Sequence, residues 1–195
     1  MSEAVYYFGG YLASQSDIDA WLRSARLQKP TVKFFGFPWP KGASSGAGSA
    51  VRTFSMGGNY DRVIDDIQRN GADTIYIVGH SSGCAIANSV DDGLESADQI
   101  VLVALDGFTP NSHQLDRETT QVWGAVCDGV RSRNYPGFAK GRRRIYTAKN
   151  CKSEWALHFS LVNAHAKDGL VDGIAKGYFN CRANLLFLGR SMELR

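Results

Sequence analysis

The strongest chemical signal in the sequence is a serine between two glycines at residues 79–83, which read Gly-His-Ser-Ser-Gly. The pattern follows an apolar, β-branched run over 74–78 and precedes a helical segment over 84–90. A serine on such a tight strand-to-helix turn is held in a strained backbone conformation, and flanking glycines let the turn pass close to its neighbours. The turn exposes the hydroxyl, and the N-terminus of the helix behind it favours negative charge there. Ser81 is therefore the candidate nucleophile, and a helix-capping serine is the simpler alternative.

The same pattern occurs a second time at residues 42–46, which read Gly-Ala-Ser-Ser-Gly. This copy neither directly follows a strand nor opens an amphipathic helix. It lies in a stretch over 42–50 that is rich in glycine, serine and alanine, which predicts a surface loop. Ser44 is therefore not expected to be a nucleophile, and the pattern is informative only in its structural context.

A serine hydroxyl is a poor nucleophile at neutral pH, so it needs a histidine base and a carboxylate that orients the base. Asp106 directly follows an apolar run over 100–105 that predicts a strand. Because the carboxyl ends of parallel strands meet at one edge of a sheet, we expect Asp106 on the same edge as Ser81. The rival acids are Asp116, Asp128 and Glu154.

Four histidines compete for the role of base: His80, His113, His158 and His165. His80 is adjacent to Ser81 on a tight turn, where neighbouring side chains point apart, so we expect it to pack beneath the turn. His113 follows Asp106 too closely in the chain to do more than border a binding cleft.

The two later histidines are separated by their distance from the predicted active edge. The apolar segment 155–162 follows a strand predicted over 144–148 after a short connection. Whether this segment is a helix capped at Ser153 or an antiparallel strand, it runs away from that edge, which favours His158. His165 stays as the alternate base because it lies in a polar loop over 163–169, and loops often carry catalytic groups.

Stabilisation of a developing oxyanion would require two backbone N–H groups. Ser82 offers one, directly after the nucleophile, and the glycine turn after the first strand offers the other through Gly10 and Tyr11. Aromatic side chains expected near the same edge are candidates for an apolar substrate pocket, with core packing as the alternative for each of them: Phe37, Trp39, Phe108 and Trp123.

Short apolar blocks alternate with longer segments of helical period, which predicts an α/β fold: a three-layer sandwich with a mostly parallel central sheet. Strands are predicted over 4–8, 31–35, 73–78, 100–105 and 144–148, and helices over 16–27 and 59–69. The last three strands have the nearly continuous apolar character of strands buried on both faces. The segment 107–142 shows no clear strand and is predicted to contain a helix over 118–126. Whether this segment forms a lid is left open.

Composition bounds the class of protein. The chain has 195 residues and 44% hydrophobic residues, which predicts one domain over 1–195. There is no apolar run long enough to cross a membrane and no secretory start, so a cytoplasmic location is expected. The four cysteines form no CxxC pair, so unpaired thiols are expected. A net charge of +3 and a short basic run over 140–144 predict a solvated face and no nucleic-acid partner.

Together, the glycine pair at 9–10, the turn at 79–83 and the chain order Ser81, Asp106, His158 resemble the α/β-hydrolase superfamily. The resemblance runs from about residue 5 to residue 165 and is to a minimal, esterase-like or lipase-like member. One departure concerns the acid. In most members it follows the second strand after the nucleophile, near Asn150 or Glu154 in this chain.

The resemblance implies acyl transfer in two steps, in which Ser81 attacks an ester carbonyl of a small-molecule substrate and His158 takes its proton. The machinery would need no metal and no other cofactor. A thioesterase, an acyltransferase and an amidase would use the same residues, and a catalytically silent binding module would keep the pocket without the chemistry. The oligomeric state is not predicted.

Overall fold

The computed structural model describes residues 1–94, 99–116, 119–135, 143–151, 153–163 and 182–188. His165, the predicted alternate base, lies outside these residues. Within them, the chain forms strands β1 to β7 at Glu3–Phe8, Lys33–Phe37, Thr74–His80, Ile100–Leu105, Gln121–Cys127, Val130–Arg131 and Arg143–Thr147. Helices α1 to α6 span Gln15–Gln28, Ala47–Met56, Asn59–Asn70, Gly83–Asp92, Ser112–Leu115 and Glu154–Ser160.

The strands form one mostly parallel sheet in the order β2-β1-β3-β4-β5, which confirms the predicted sheet type. β7 runs parallel to β5, and the short β6 is antiparallel to it. The register pairs Phe8 with Gly79 and His80 with Leu105. As a result, the residues that follow β1, β3 and β4 meet at the carboxyl edge of the sheet, as expected for parallel neighbours.

Helices cover both faces of this sheet and complete the predicted three layers. Side chains alternate along β1, so that Val5 and Tyr7 pack with α1 and α6 on one face, while Tyr6 and Phe8 pack with α2, α3 and α4 on the other. This alternation follows from the period of two in an extended strand. In the described part of the chain, no helix has the length and apolarity required to cross a membrane.

Three expectations about individual elements are wrong. The stretch 42–50 is not entirely a surface loop, because α2 begins at Ala47 and buries Ala50 and Phe54. The sequence did not predict this helix because its first turn contains glycine and serine, which are weak helix formers. In the segment 118–126, the described residues from 119 onward hold β5 and no helix, because pairing with β4 places the apolar side chains in the sheet. β7 is not buried on both faces, and its Ile145 is 50% exposed.

Candidate active site

The turn between β3 and α4 holds Ser81 at a φ of 54°, a left-handed conformation that serine rarely adopts. The flanking glycines are required by packing. A Cβ at Gly79 would lie 2.6 Å from the backbone nitrogen of Cys84, and one at Gly83 would lie 2.6 Å from the carbonyl oxygen of Gly9. The backbone N–H of Ser81 donates to Leu105 O at 3.0 Å, which ties the turn to the end of β4. We call residues 79–83 the serine turn.

Asp106 lies directly after β4 and is almost fully buried, also with a positive φ of 43°. Its Oδ1 accepts a 2.6 Å hydrogen bond from the Ser132 hydroxyl, and its Oδ2 accepts one of 3.1 Å from the backbone N–H of Asn134. Burial by itself would raise the pKa of Asp106, but the hydrogen bonds from His158, Ser132 and Asn134 and the charge of His158 lower this pKa below its usual value. The carboxylate is therefore ionised at neutral pH.

His158 stands on α6, whose first turn is capped by the Ser153 hydroxyl at 3.1 Å from the backbone nitrogen of Ala156. Its Nδ1 lies 2.5 Å from Oδ2 of Asp106, and both side chains are almost completely buried. Because an ionised carboxylate can only accept, Nδ1 carries the hydrogen. The tautomer is thereby defined, and Nε2 is the ring nitrogen that remains to accept a proton.

His80 lies beneath this pair, as the sequence predicted. Its Nε2 donates to the backbone oxygen of His158 at 3.1 Å, and the two rings are tilted by 36° with centroids 4.5 Å apart. Burial first, and the neighbouring His158 second, lower the pKa of His80 to about 3. His80 is therefore neutral at physiological pH and supports α6 from below the sheet edge.

Ser81 and His158 line one cavity of about 420 Å³ at the carboxyl edge of the sheet. No direct hydrogen bond joins these two side chains in the part of the chain that the structure describes. The rest of the lining combines aromatic rings with small and polar residues: Tyr11, Ser45, Ser82, Gly107, Phe108, Arg133, Asn134, Trp155 and Phe159. The cavity is large enough for a small-molecule ligand.

The glycine turn after β1 lies against the first turn of α4. Gly9 donates to Phe37 O at 3.0 Å, Ala13 donates to Gly10 O at 2.9 Å, and the carbonyl of Gly9 is the close neighbour of Gly83 described above. Tyr11 lines the cavity, whereas Gly10 is buried just before it. The two predicted sources of N–H donors are therefore neighbours in space.

The predicted aromatic lining is partly wrong. Phe108 lines the cavity and is 44% exposed, but Trp39 and Trp123 do not line it. The Trp39 ring packs edge-on behind Tyr11, with centroids 5.6 Å apart. Trp123 points from β5 into the core, where its Nε1 donates to Gln121 Oε1 at 3.0 Å. Phe37 stacks on Phe8 in a second aromatic pair.

The rival acids occupy other positions. Glu154 pairs with Arg133 at 2.5 Å, Asp128 lies in the turn between β5 and β6, and Asp116 caps the C-terminus of α5. His113 pairs with Asp92 at 2.8 Å on the exposed surface. Of the rival residues that the structure describes, none makes a contact with His158 comparable to that of Asp106.

Sequence reasoning missed several cavity residues. Trp155 lies three residues before His158 on α6, so helical spacing from the histidine would have found it, whereas Phe159 directly follows His158 and has no such signal. No local signal pointed to Arg133 and Asn134 of the lining, or to the buried Ser132 beside them, because they reach the site through contacts with Asp106 and Glu154 that are distant in the chain.

Cysteine and metal chemistry have little support at this site. The thiol of Cys84 lies beneath the serine turn and donates to Gly79 O at 3.1 Å. Burial raises the pKa of Cys84 to about 12, so the reactive thiolate is scarce at neutral pH. Among the described residues, no group of three or more histidine, cysteine or acidic side chains is arranged to hold a metal ion.

Comparisons with known proteins give distant structural matches. No protein-family model matches the chain, and no curated protein matches it either. A CIB-like hydrolase from Thermoplasma acidophilum is similar with a TM-score of 0.49 and 11% identity, over 79% of this chain and 78% of that one. An extracellular α/β-hydrolase from a Paenibacillus species is similar with a TM-score of 0.37 and 18% identity, over 55% of this chain and 42% of that one.

The fold class follows from this chain's own geometry. A mostly parallel sheet covered by helices on both faces, with a strained serine on the turn from β3 to α4, is the α/β-hydrolase arrangement. The chain therefore has the α/β-hydrolase fold, which confirms the predicted fold class.

Proposed function

We propose that the protein is a serine hydrolase that cleaves carboxylic esters of a small or acyl-chain substrate. The observation that carries this proposal is the buried 2.5 Å contact between Nδ1 of His158 and Oδ2 of Asp106. It orients an imidazole that shares a cavity with the strained Ser81. A nucleophile, a base and an acid that orients the base are the parts that acyl transfer requires.

In the proposed reaction, the Ser81 oxygen attacks the ester carbonyl while Nε2 of His158 takes its proton. The ionised Asp106 stabilises the imidazolium that forms. The negative oxygen of the tetrahedral intermediate accepts hydrogen bonds from the backbone N–H of Ser82 and from the turn at Gly10 and Tyr11. When the carbon–oxygen bond breaks, His158 gives its proton to the departing alcohol and the acyl group stays on Ser81.

In the second step, water attacks the acyl-enzyme while His158 takes a proton from the water. The bond between the acyl carbon and the Ser81 oxygen then breaks, His158 returns the proton to that oxygen, and the carboxylic acid leaves. The aromatic rings in the cavity lining favour an apolar acyl or alcohol group, because burying such a group removes its surface from water. The chemistry uses groups of the chain itself and needs no metal or other cofactor.

The test is reaction with a fluorophosphonate, which labels activated serines, followed by mapping of the adduct by mass spectrometry. The proposal expects an adduct on Ser81, none on the Ser81→Ala variant, and unchanged labelling of Ser44→Ala as the matched control. A well-folded protein that takes no label would overturn the proposal and favour the silent binding module. A panel of esters, thioesters and amides of graded chain length then identifies the bond that is cleaved.

A further inference from the structure

The cavity beside Ser81 carries a permanent positive charge on one wall. Among its described lining residues, Arg133 is the one with a fixed formal charge, and the lining contains no carboxylate. Asp106 is buried behind His158, and Glu154 contacts Arg133 without lining the cavity. An otherwise aromatic and neutral pocket therefore presents a guanidinium group to whatever enters it.

The position of Arg133 is set by its two neighbours in the chain. Ser132 donates its hydroxyl hydrogen to Asp106 Oδ1, and Asn134 donates its backbone N–H to Asp106 Oδ2. Asn134 also donates its side-chain amide hydrogen to the backbone oxygen of Asp106 at 3.0 Å. Three hydrogen bonds thus attach the residues on both sides of Arg133 to Asp106, one from the Ser132 hydroxyl and two from Asn134. They hold the backbone of Arg133 at a defined position in the cavity wall.

Two neighbours orient the guanidinium of Arg133, but they occupy only part of its hydrogen-bonding capacity. Nη1 of Arg133 donates to Glu154 Oε1 at 2.5 Å, and the group lies 4.6 Å from the centroid of the Trp155 ring. An arginine has five N–H donors in a planar fork that matches a carboxylate in two places. The structure gives Arg133 one hydrogen-bond partner among the described residues, and the side chain is 46% exposed. Its remaining donors are available to an anion.

We propose that Arg133 binds a carboxylate of the substrate, so that the preferred ester carries a second, anionic group remote from the carbonyl that Ser81 attacks. This inference rests on the proposed hydrolase function. The aromatic lining accommodates the chain between the two groups, and Trp155 holds the guanidinium plane by a cation–π contact. Glu154 competes with the substrate carboxylate for the same guanidinium, so its charge weakens anion binding.

The experiment compares two methyl esters with the same acyl chain length, monomethyl adipate with its free carboxylate and methyl hexanoate without one. The readout is the ratio of their kcat/KM values. Arg133→Met is expected to lower the preference for monomethyl adipate by about 10- to 100-fold, the scale of a hydrogen bond to a charged group. Arg133→Lys keeps the charge but loses the planar pair of N–H donors, so its kcat/KM ratio should lie between those of wild type and Arg133→Met.

Two further variants separate anion binding from a structural role of the Arg133–Glu154 pair. Glu154→Gln removes the competing charge and should raise the preference for monomethyl adipate. If the Arg133–Glu154 pair served only to hold the structure together, Glu154→Gln would instead lower the turnover of both esters by the same factor. Arg131→Met is the matched control, because Arg131 lies over the Tyr135 ring, outside the cavity lining, and its loss changes the net charge by the same amount. It should leave the ratio unchanged. An unchanged ratio in Arg133→Met, or equal effects of Arg133→Met and Arg131→Met, would overturn the inference.

A binding measurement makes failure of this inference distinct from failure of the proposed function. Calorimetric titration of Ser81→Ala with monomethyl adipate should show binding. In the double variant Ser81→Ala/Arg133→Met, the dissociation constant should be at least about 10-fold higher. If wild type takes no fluorophosphonate label but this difference in affinity remains, the hydrolase proposal fails and the anion site stands. If labelling is normal and the affinities are equal, the anion site fails and the hydrolase proposal stands.

Discussion

The two Gly-x-Ser-x-Gly segments of this chain share a pattern but differ in what surrounds their glycines. In the serine turn, a Cβ at either Gly79 or Gly83 would lie within 2.6 Å of backbone atoms. In the segment 42–46, a Cβ at Gly42 would meet no atom within 4 Å, and one at Gly46 would meet its nearest neighbour at 3.8 Å. The pattern therefore marks a strained turn only where other backbone segments press against it.

Both segments nevertheless reach the same cavity. α2 begins directly after Gly46, as α4 begins at Gly83, and the carbonyl of Ser45 accepts a 3.4 Å hydrogen bond from the Ser82 hydroxyl. Ser45 lines the cavity, whereas Ser44 is exposed and has no left-handed φ. The second segment is thus a wall of the pocket, and the serine turn is the place where chemistry can occur.

The largest expected difference between the segments is in turnover. Ser81→Ala should lower kcat/KM for ester hydrolysis by about 10⁴-fold or more, because the covalent route is lost. Ser44→Ala should stay within about twofold of wild type, as expected for an exposed side chain away from special features. Steady-state kinetics on the best ester of the panel measures both. Comparable losses in the two variants would erase the distinction between the segments.

The second prediction concerns the base that serves Ser81. His158→Ala should reduce kcat/KM by about 10³-fold or more, because both the proton acceptor and its link to Asp106 disappear. His165→Ala is the matched variant and should retain most activity. Kinetics on both proteins, with circular dichroism to check folding, decides between the two histidines. A large loss in His165→Ala together with a mild one in His158→Ala would reverse the assignment.

The third prediction concerns how stability depends on pH through His80. His80 occupies the second position of the Gly-x-Ser-x-Gly pattern, where the segment 42–46 has Ala43. The pKa of His80 is about 3 in the folded protein, below about 6.5 for an unperturbed histidine, so the unfolded state takes up the proton first as the pH falls. The contribution of neutral, buried His80 to the free energy of unfolding is therefore fully present above about pH 6.5 and is lost as the pH falls towards 3. Wild type should therefore lose about 1 kcal/mol of unfolding free energy per pH unit between pH 6 and 4 in excess of His80→Phe.

Urea unfolding at several pH values measures this difference in slope. Ser44→Ala, which removes no titratable group, is the control and should keep the wild-type slope. If His80→Phe and wild type lose stability in parallel as the pH falls, His80 is not a buried neutral histidine.

The smallest expected difference concerns packing at the glycines. Gly83→Ala should lower the free energy of unfolding by about 1 to 3 kcal/mol, because its Cβ overlaps the backbone of Gly9. Gly46→Ala, whose Cβ would meet its nearest neighbour at 3.8 Å, should change it by less than about 1 kcal/mol, the scale of a less favourable N-cap of α2. Chemical denaturation of both variants gives the values. Equal stabilities would mean that the serine turn can shift to accept a side chain.

Much of the architecture was predictable because its signals are local. The observed bounds of β1, β3 and β4 agree with the predicted strands to within two residues at each end. Ser81 and His158 line one cavity, and Asp106 contacts His158 behind it. The helix α2 and the strand β5 were not predictable in this way. Glycine and serine in the first turn of α2 are weak helix formers, and β5 is a strand because it pairs with β4.

The sequence by itself determined the sheet-forming runs and the turn that carries Ser81, because β-branched periodicity and the need for glycine at tight positions act over a few residues. The tertiary structure decided which distant groups complete the site. Register between parallel strands brings residue 106 to residue 81, and contacts spanning more than twenty residues attach Ser132 and Asn134 to Asp106. No local pattern encodes such contacts, since each depends on where the sheet places the other partner.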